Sequence, residues 1–432
     1  METYRALAKQ PGASLHDFEA ATGAPVSYCS VDSSVLVSPN QWWQAKLNEE
    51  TDLGRRNEQI ETKFPHFKLG QIANEQRESK QFTQFDGCVP LAARELDPTH
   101  PEAKRTSPSR LETFGVCPRK FFFRYGLGIY PPDEHKVDNE RWLDALQLGS
   151  LIHEVFEGFL RNLTKRGNVP ELDRDLDELK SILHSKIETL KSNVPIPNQD
   201  AFERQLQRLE KSCEIFLRKE EKYCRDTNSV PWILEASIGL GDEPQSQLDC
   251  SEPISLTLKD GRSLKVGGRI DRIDRIGGSD SLQFGIWDYK SGSSWGFEQS
   301  APFQQGRKLQ PFLYAGMLRH RLAKEIGPDA KPTFFGYFFP SPKTEGLRLE
   351  WTSGELKTGD GILSHICNAI SAGAFMATNN KKDCGYCKYL PICGVPEATS
   401  KQSLVQLETC SDSALNPMRS LREVALEEPP PW

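Results

Sequence analysis

The sequence predicts an α/β fold in which a central mixed β-sheet is flanked by helices. Two observations lead to this prediction: a run of β-rich segments in the middle of the chain, and helical patterns on both sides of it. The chain has 432 residues, which suits two or three domains of about 150 residues each. Hydrophobic residues make up 37% and charged residues 26%, which is typical of a folded chain rather than a collagen-like or wholly disordered one.

The overall charge does not point to a nucleic-acid-binding protein. The net charge is −6, from 54 basic and 60 acidic side chains, so a general basic excess is absent, although a local patch would suffice. No segment approaches the roughly 18 apolar residues of a membrane-spanning helix, and the first residues lack a signal-peptide pattern. We therefore expect a cytoplasmic protein with reduced thiols and no membrane partner.

The helical elements begin after a weakly patterned N-terminal region. Residues 1–105 show no clean hydrophobic period and are expected to form a stub, or the remnant of a larger domain, that ends in a Pro-rich linker. Ser109 is expected to cap the next helix, with Glu112 completing a capping box. Apolar spacing predicts a helix over 148–163, and composition predicts two charged helices over 172–223, interrupted at a pair of prolines.

Strand signals dominate the second half of the chain. The β-rich segments are separated by turn dipeptides such as Asp260-Gly261. The predicted strands cover residues 232–238, 254–258, 264–276, 282–289, 333–339 and 347–351. Helices are predicted over 310–323 and 359–371. We expect residues 106–397 to form one domain and residues 398–432, which end in Glu-Glu-Pro-Pro-Pro-Trp, to form a disordered tail.

The most informative segments are the stretch 268–274 and the tripeptide Asp288-Tyr289-Lys290. Asp288 and Lys290 are two positions apart in a strand with an apolar lead-in, so both emerge on one face of a buried strand. Such charges are costly there unless they are paired or bind something. A hairpin would bring Asp271 beside Asp288. Two carboxylates and a lysine suit metal-assisted phosphodiester hydrolysis, most simply with Mg²⁺, and the alternative is a surface salt bridge.

Three further side chains are candidates for the same site. His153 lies near the start of an amphipathic helix and is a potential metal ligand, or alternatively a hydrogen-bonded core histidine. Gln310 and Tyr314 are four residues apart at the start of another helix and therefore share a face. An amide and a phenol presented together suit contact with a phosphate or a base; helix capping and packing are the alternative roles.

The eleven cysteines include one group with metal-ligand spacing. Cys384, Cys387 and Cys393 form a C-x₂-C-x₅-C pattern, and Cys117 is the natural fourth member. Four thiolates suit either Zn²⁺ or an iron–sulfur cluster, and spacing alone does not separate the two. The other seven cysteines are expected to be ordinary buried or surface residues.

These motifs together resemble a known nuclease family. The stretch 107–125 (SPSRLETFGVCPRKFFFRY) looks like the entry to an AddB-type nuclease domain, the RecB-like branch of the PD-(D/E)XK nucleases. The later motifs occur in the order of that family: residues 149–153, 268–271, 288–290 and 310–314, then the cysteine triplet. The resemblance covers about residues 105–397 and implies a restriction-endonuclease-like core with helical insertions and an iron–sulfur staple.

The resemblance implies a role for each candidate residue. Asp271, Asp288 and Lys290 would be catalytic with support from Gln310 and Tyr314, and the metal, Mg²⁺ or Mn²⁺, would be held by His153 and the two aspartates. Glu235 sits where such domains often carry an acidic residue. The four cysteines would ligate a [4Fe-4S] cluster, which is preferred to zinc on the resemblance alone.

The resemblance also implies a DNA substrate. A basic segment that includes Arg119, Lys120 and Arg124 is interleaved with aromatic residues and would form a groove that tracks the phosphates of single-stranded DNA ends; the alternative is a solvated basic face. We expect a metal-dependent exonuclease in recombination or break repair with a helicase-nuclease partner, or alternatively a non-catalytic DNA-binding subunit with a vestigial site. No GxxxxGK[ST] motif is present, so no ATP site is expected in this chain. The chain is expected to be either a truncated AddB-type protein or a stand-alone nuclease.

Overall fold

The computed structural model describes residues 36, 38–132 and 138–426. The chain divides into two compact units, Met1–Ser79 and Lys80–Trp432. Three helices are described in the first unit: α1 (Pro39–Glu49), α2 (Leu53–Lys63) and α3 (Pro65–Glu78). The unit boundary lies before the expected one at residue 105, because Phe82 and Leu96 belong to the hydrophobic core of the second unit. None of the helices in the described part of the chain is both long and apolar enough to cross a membrane.

The second unit begins with a series of helices. They are α4 (Pro90–Leu96), α5 (Pro108–Val116), α6 (Pro118–Phe121) with a π-helical turn (Phe122–Gly126), α7 (Ala145–Lys165), α8 (Leu172–Lys191) and α9 (Gln199–Thr227). The predicted break between two charged helices is confirmed, since α8 ends before the two prolines and α9 begins after them. The start of α5 was predicted two residues late: Ser107, not Ser109, accepts the capping hydrogen bond from the N–H of Arg110.

The remaining elements build and cover a sheet. The strands are β1 (Val230–Ile238), β2 (Ile254–Thr257), β3 (Ser263–Val266), β4 (Gly268–Arg275), β5 (Gln283–Tyr289), β6 (Lys331–Phe339) and β7 (Leu347–Thr352). The helices are α10 (Gln310–Glu325), α11 (Gly359–Ser371), α12 (Leu390–Cys393), α13 (Pro396–Thr409) and α14 (Asn416–Arg422). Short 3₁₀ turns lie at Gln304–Gly306, Glu355–Thr358, Lys381–Cys384 and Ser413–Leu415.

The main sheet is mixed and has the order β1-β4-β5-β6-β7. Only the β5–β6 pair is parallel among these neighbours, and α10 connects those two strands. The two faces of the sheet belong to different hydrophobic clusters. Trp287 and Tyr289 pack with α7, α8 and α9, whereas Ile273 and Ile286 pack with α10 and α11. The predicted fold class, a mixed sheet flanked by helices, is therefore confirmed.

Two predicted segments differ from the structure. The single strand predicted over 264–276 is split between β3, which pairs with β2 in a separate hairpin, and β4 of the main sheet. The break falls at Gly267, where a Cβ atom would meet the side chain of Arg105 and the carbonyl oxygen of Ile238. The tail from residue 398 was expected to be disordered, but α13 and α14 are helical there and bury Leu407, Leu415 and Leu421 in the core. Residues 427–432 lie outside the described residues.

Candidate active site and cysteine cluster

The register between β4 and β5 brings the two predicted aspartates together. Arg272 pairs with Trp287, so the next pair along the two strands is Asp271 and Asp288. Asp288 therefore lies on the face that carries Ile286, and Asp271 lies beside it on the neighbouring strand. Lys290 follows directly after β5, and the oxygen of Asp288 that it contacts, Oδ2, is buried and accepts no hydrogen bond of good geometry. The expected hairpin and shared face are thus present.

His153 reaches the same site from α7. Its Nε2 lies 3.0 Å from the carbonyl oxygen of Tyr289, and its Nδ1 lies 3.3 Å from Oδ2 of Asp271. Because a carbonyl oxygen only accepts, Nε2 carries the hydrogen in the neutral ring, and the lone pair of Nδ1 faces the carboxylate. A second group holds that carboxylate in place, since the backbone N–H of Tyr289 donates to the same Oδ2 at 3.1 Å. The histidine is therefore oriented as a metal ligand requires.

Glu235 of β1 completes a group of potential metal ligands. One ligand atom each of His153, Glu235 and Asp271 lies within 4.8 Å of the others. Glu235 faces Asp271 across the β1–β4 pair, because Leu234 and Ala236 pair with the residues on either side of that aspartate. Its backbone has φ of 52°, a left-handed conformation that is rare in a strand. Sequence reasoning gave this residue only a minor place.

Burial shifts two carboxylates of the site, Glu235 and Asp271, toward their neutral forms. Burial, followed by the charge of Asp271, raises the pKa of Glu235 to about 8. Burial and Asp288 raise the pKa of Asp271 to about 7, although His153 and Lys290 oppose that rise. Burial lowers the pKa of Lys290, but the neighbouring Asp288 and Asp271 outweigh it and the pKa lies above its usual range. Carboxylates forced together in a buried site are stabilised by a bound cation.

Gln310 and Tyr314 lie at the start of α10, on the side that faces the strands. Tyr337 of β6 donates to Oε1 of Gln310 at 3.4 Å. Tyr314 is buried, and burial together with Asp288 and Asp271 raises the pKa of its phenol. The two side chains therefore border the acidic site, as sequence reasoning expected of supporting residues.

Glu112 has a different role from the one predicted. It was expected to complete a capping box in its own helix, but its Oε1 accepts from the backbone N–H groups of Leu309 (2.6 Å) and Gln310 (3.0 Å). It thereby caps α10, almost 200 residues away in the chain. Local spacing suggested a local partner, and only the tertiary structure shows the distant one.

An ionic network whose centre is fully buried lies on the opposite face of the sheet, behind the aspartates. The guanidinium of Arg272 donates to Asp274 (2.6 and 2.8 Å), to Glu220 of α9 (2.8 Å) and to the hydroxyl of Tyr289 (3.0 Å). Arg348 donates to the second oxygen of Glu220 at 2.6 Å. Through the hydroxyl of Tyr289, these contacts hold the residue that lies between Asp288 and Lys290 in one position. Sequence reasoning missed this network, although the alternation of Arg and Asp along β4 is its signal.

The four predicted cysteine ligands line one cavity. Cys117 directly precedes α6, whereas Cys384, Cys387 and Cys393 come from a segment near the C-terminal end of the second unit. All four thiols are free, and burial is the main cause that raises the pKa of Cys117, with backbone N–H groups opposing it. No three of these four Sγ atoms lie within 4.8 Å of one another.

Four thiols around one cavity limit which metal groups the site could hold. A tetrahedral Zn²⁺ with Zn–S bonds of about 2.3 Å needs sulfurs about 3.8 Å apart. A cluster in which each thiolate binds a different iron needs a wider arrangement. Four thiols that line one cavity are the ligands that either group requires.

The basic residues expected to bind DNA have mixed environments. Arg119 is partly buried, donates to the carbonyl oxygen of Asp86 at 3.3 Å and lies beside Cys393. Arg124 is exposed, and its guanidinium lies 5.5 Å from the ring centroid of Tyr125. Lys120 is half-buried beside the cysteine cavity. Of the three, Arg124 is the one most available to a ligand.

Comparison with known proteins agrees with this geometry. Three relatives are named as subunits of an ATP-dependent helicase/deoxyribonuclease. The protein of Clostridium tetani is 28% identical over 240 residues, which is 54% of this chain and 19% of the relative. Those of Moorella thermoacetica and Acetivibrio thermocellus are both 27% identical, over 260 residues (59% of this chain and 21% of the relative) and 232 residues (53% and 19%). The alignments thus span about a fifth of the length of these relatives.

A family match covers the site itself. Residues 105–394 match the PD-(D/E)XK nuclease superfamily, and this range contains the acidic group, Lys290, α10 and the four cysteines. The AddB-type resemblance of the motifs is confirmed by both comparisons. With two thirds of its residues matched, the chain belongs to the PD-(D/E)XK nuclease superfamily.

Proposed function

We propose that this chain is a divalent-metal-dependent nuclease that hydrolyses phosphodiester bonds of DNA, with an active rather than a vestigial site. The observation that carries the proposal is the convergence of His153, Glu235 and Asp271 within 4.8 Å, beside Asp288 and Lys290. A vestigial site would not be expected to keep a costly group of buried acids.

The donor set fits Mg²⁺ or Mn²⁺, for which carboxylate oxygens and one imidazole are suitable ligands. His153, Glu235, Asp271 and Asp288 would hold the ion, which would supply Lewis-acid stabilisation of the phosphate and a more acidic bound water. Lys290 supplies positive charge toward the phosphate and orients the attacking water. Gln310 and Tyr314 border the site from α10 and position the strand being cleaved.

Replacement of Lys290 tests the proposal. Lys290→Met should slow cleavage of end-labelled DNA in Mg²⁺ by about a hundredfold or more, because the variant loses positive charge at the reacting phosphate. Lys324→Met, at an exposed position in the last turn of α10, is the matched control and should retain activity. Single- and double-stranded substrates are compared with and without Mg²⁺ or Mn²⁺. Wild-type protein that binds DNA but never cleaves it would instead support the non-catalytic subunit.

We further propose that Cys117, Cys384, Cys387 and Cys393 hold a [4Fe-4S] cluster that ties the start of the second unit to residues near its end. Their shared cavity and the resemblance of the motifs to AddB-type nuclease domains support this assignment. Anaerobically purified protein should be brown and contain about four iron atoms per chain. Cys384→Ser should lose the iron and unfold at lower temperature, whereas Cys213→Ser, far from the cavity lining, should keep the iron. Zinc without iron would refute the assignment.

The relatives suggest a setting for this activity. Because they are named helicase/deoxyribonuclease subunits, we propose that the chain acts on DNA ends, in recombination or break repair, together with a helicase-bearing protein. The chain alone should hydrolyse no ATP, and co-purification with a DNA-unwinding ATPase should increase cleavage of double-stranded DNA. Equal cleavage with and without that partner would contradict the proposal.

A further inference from the structure

Lys308 is a second lysine near the acidic site, separate from the candidate residues described above. It lies just before α10, and its side chain is half-buried. Its Nζ is 4.2 Å from the ring centroid of Phe297. Among the residues that the structure describes, its ammonium group has neither a hydrogen-bond acceptor nor an ion-pair partner. A cation–π contact leaves the three N–H donors of this group unused.

An aromatic pair connects Lys308 with Lys290. The ring of Phe297 lies edge-on to the ring of Tyr337, with 4.9 Å between their centroids. Nζ of Lys290 lies 5.1 Å from the centroid of that same tyrosine ring. The two lysines therefore lie on either side of one aromatic pair, near the C-terminal ends of β5 and β6, where Asp288 also lies.

The charged groups around Lys308 do not neutralise it. Glu112, Lys290 and Asp288 act on it, and burial, the largest influence, lowers its pKa below the usual range. Glu112 is committed to the two backbone N–H groups of α10. Asp288 is in contact with Lys290. A half-buried ammonium group without an acceptor is unfavourable, and an external anion bound there would supply the missing acceptor.

The segment that carries Lys308 is held firmly in place. Arg307 donates to both carboxylate oxygens of Asp383, at 2.9 and 2.8 Å, and Asp383 is the neighbour of a proposed cluster ligand. The backbone N–H of Lys308 donates to the carbonyl oxygen of Phe303 at 3.1 Å. Gly306 has a left-handed backbone, and its carbonyl oxygen is packed against Gly115. A firmly anchored donor suits recognition of one ligand atom.

We propose that Lys308 is a further substrate-contacting residue, whose ammonium group binds a phosphate oxygen of the DNA strand at the acidic site. This inference rests on the proposed nuclease function for its substrate. Lys290 and Lys308 would then both contact the DNA strand, which would enter the site between β5 and α10. The phosphate that Lys308 binds is either the one cleaved or its immediate neighbour, and both give the same expectations below.

The test separates phosphate contact from catalysis. Binding of a fluorescent single-stranded oligonucleotide is measured by anisotropy over a series of salt concentrations, with Ca²⁺ in place of Mg²⁺ to prevent cleavage. Lys308→Met keeps the packing on Phe297 but removes the charge, so it should reduce the slope of log K against log salt by about 0.7. Lys308→Arg should restore the slope, and Lys324→Met should leave it unchanged because that lysine is exposed at the far end of α10.

Cleavage gives a second measurement. In Mg²⁺, Lys308→Met should slow single-turnover cleavage about ten- to a hundredfold, without changing the Mg²⁺ concentration at half-maximal rate, because Lys308 binds no metal. A purely structural role would instead lower the unfolding temperature and leave the salt slope unchanged, which would overturn the proposal. If the wild type binds but does not cleave and Lys308→Met still reduces the slope, the nuclease function fails while the phosphate contact stands.

Discussion

The acidic site should make the stability of the metal-free protein depend on pH through Asp271. Burial and Asp288 raise the pKa of this carboxyl from 3.8 to about 7. In the unfolded chain it ionises near pH 4, so between about pH 4 and pH 7 the folded state keeps a proton that the unfolded state has released. The stabilisation that results is complete below about pH 4 and is lost as the pH rises through the raised value.

The size of the effect follows from the shift. At 1.36 kcal/mol per unit, the shift of about three units corresponds to about 4 kcal/mol for an ionised Asp271, whose side chain is only 13% exposed. Asp271→Asn removes this ionisation. In EDTA, the free energy of unfolding of the variant minus that of the wild type should therefore rise by about 2 kcal/mol when the pH is raised from about 5.5 to about 8. The rise is smaller than the full value of about 4 kcal/mol because Asp271 already costs the wild type some stability at about pH 5.5.

The assay is denaturant unfolding of both proteins in EDTA at the two pH values. Asp280→Asn, at an exposed turn position, is the matched control and should show no such pH dependence. Added Mg²⁺ should stabilise the wild type more at the higher pH than at the lower one and should not stabilise Asp271→Asn. An equal difference between variant and wild type at both pH values would refute the reasoning that Asp271 is buried beside Asp288.

Two further comparisons use matched variants. Arg272→Met leaves buried Asp274 without its cation and Glu220 with Arg348 alone, and should lower the free energy of unfolding by about 3–5 kcal/mol. Arg269→Met, which breaks a surface pair, should cost less than about 1 kcal/mol by the same measurement. Equal losses would contradict the buried network. Gly115→Ala places a Cβ against the carbonyl of Gly306 and should lower both the unfolding temperature and cleavage, whereas Gly361→Ala, in open space within α11, should be neutral or stabilising by up to about 1 kcal/mol.

The parts of the fold that sequence reasoning predicted are those set by local pattern. The apolar lead-in before Asp288 predicted that β5 is a buried strand, and β5 does lie between β4 and β6. The C-terminal helices were missed because their polar composition hides three leucines that reach the core only after the chain returns to α11. The local hydrophobic pattern predicts whether a segment is a helix or a strand, but it does not predict which distant surface an amphipathic segment will cover.

The site shows the same division between local and distant causes. Asp288 and Lys290 could be placed on one face from their spacing alone. Glu235 could not be placed with confidence, since its left-handed backbone has no signature in the residues around it. Glu112 was assigned to its own helix because the capping-box spacing is local, while its actual partners are the amides of Leu309 and Gln310. Contacts between residues far apart in the chain therefore account for most of what sequence reasoning missed.

Register is the point at which fold and site depend on each other. A strand alternates its faces, so β4 directs Asp271 to the acidic site and Arg272 to the buried ionic network. A slip of one residue between β4 and its neighbours would exchange these two side chains. Arg272 and Asp274, which share one face of β4, would both leave Glu220 and the hydroxyl of Tyr289. Buried Glu220 would then keep only Arg348, at a cost of several kcal/mol.

The buried network is therefore best understood as a device that selects one register. Exposed charges could not do this, because a slip would cost them little. Arg272, by contrast, is fully buried and finds its acceptors on three different elements: β4 itself, α9 and β5. Asp274 moves with Arg272, but only one register brings Glu220 and Tyr289 to the guanidinium, and in that register Asp271 lies beside Asp288. The costly polar contacts behind the sheet thus place the two carboxylates that the proposed chemistry needs on the other side.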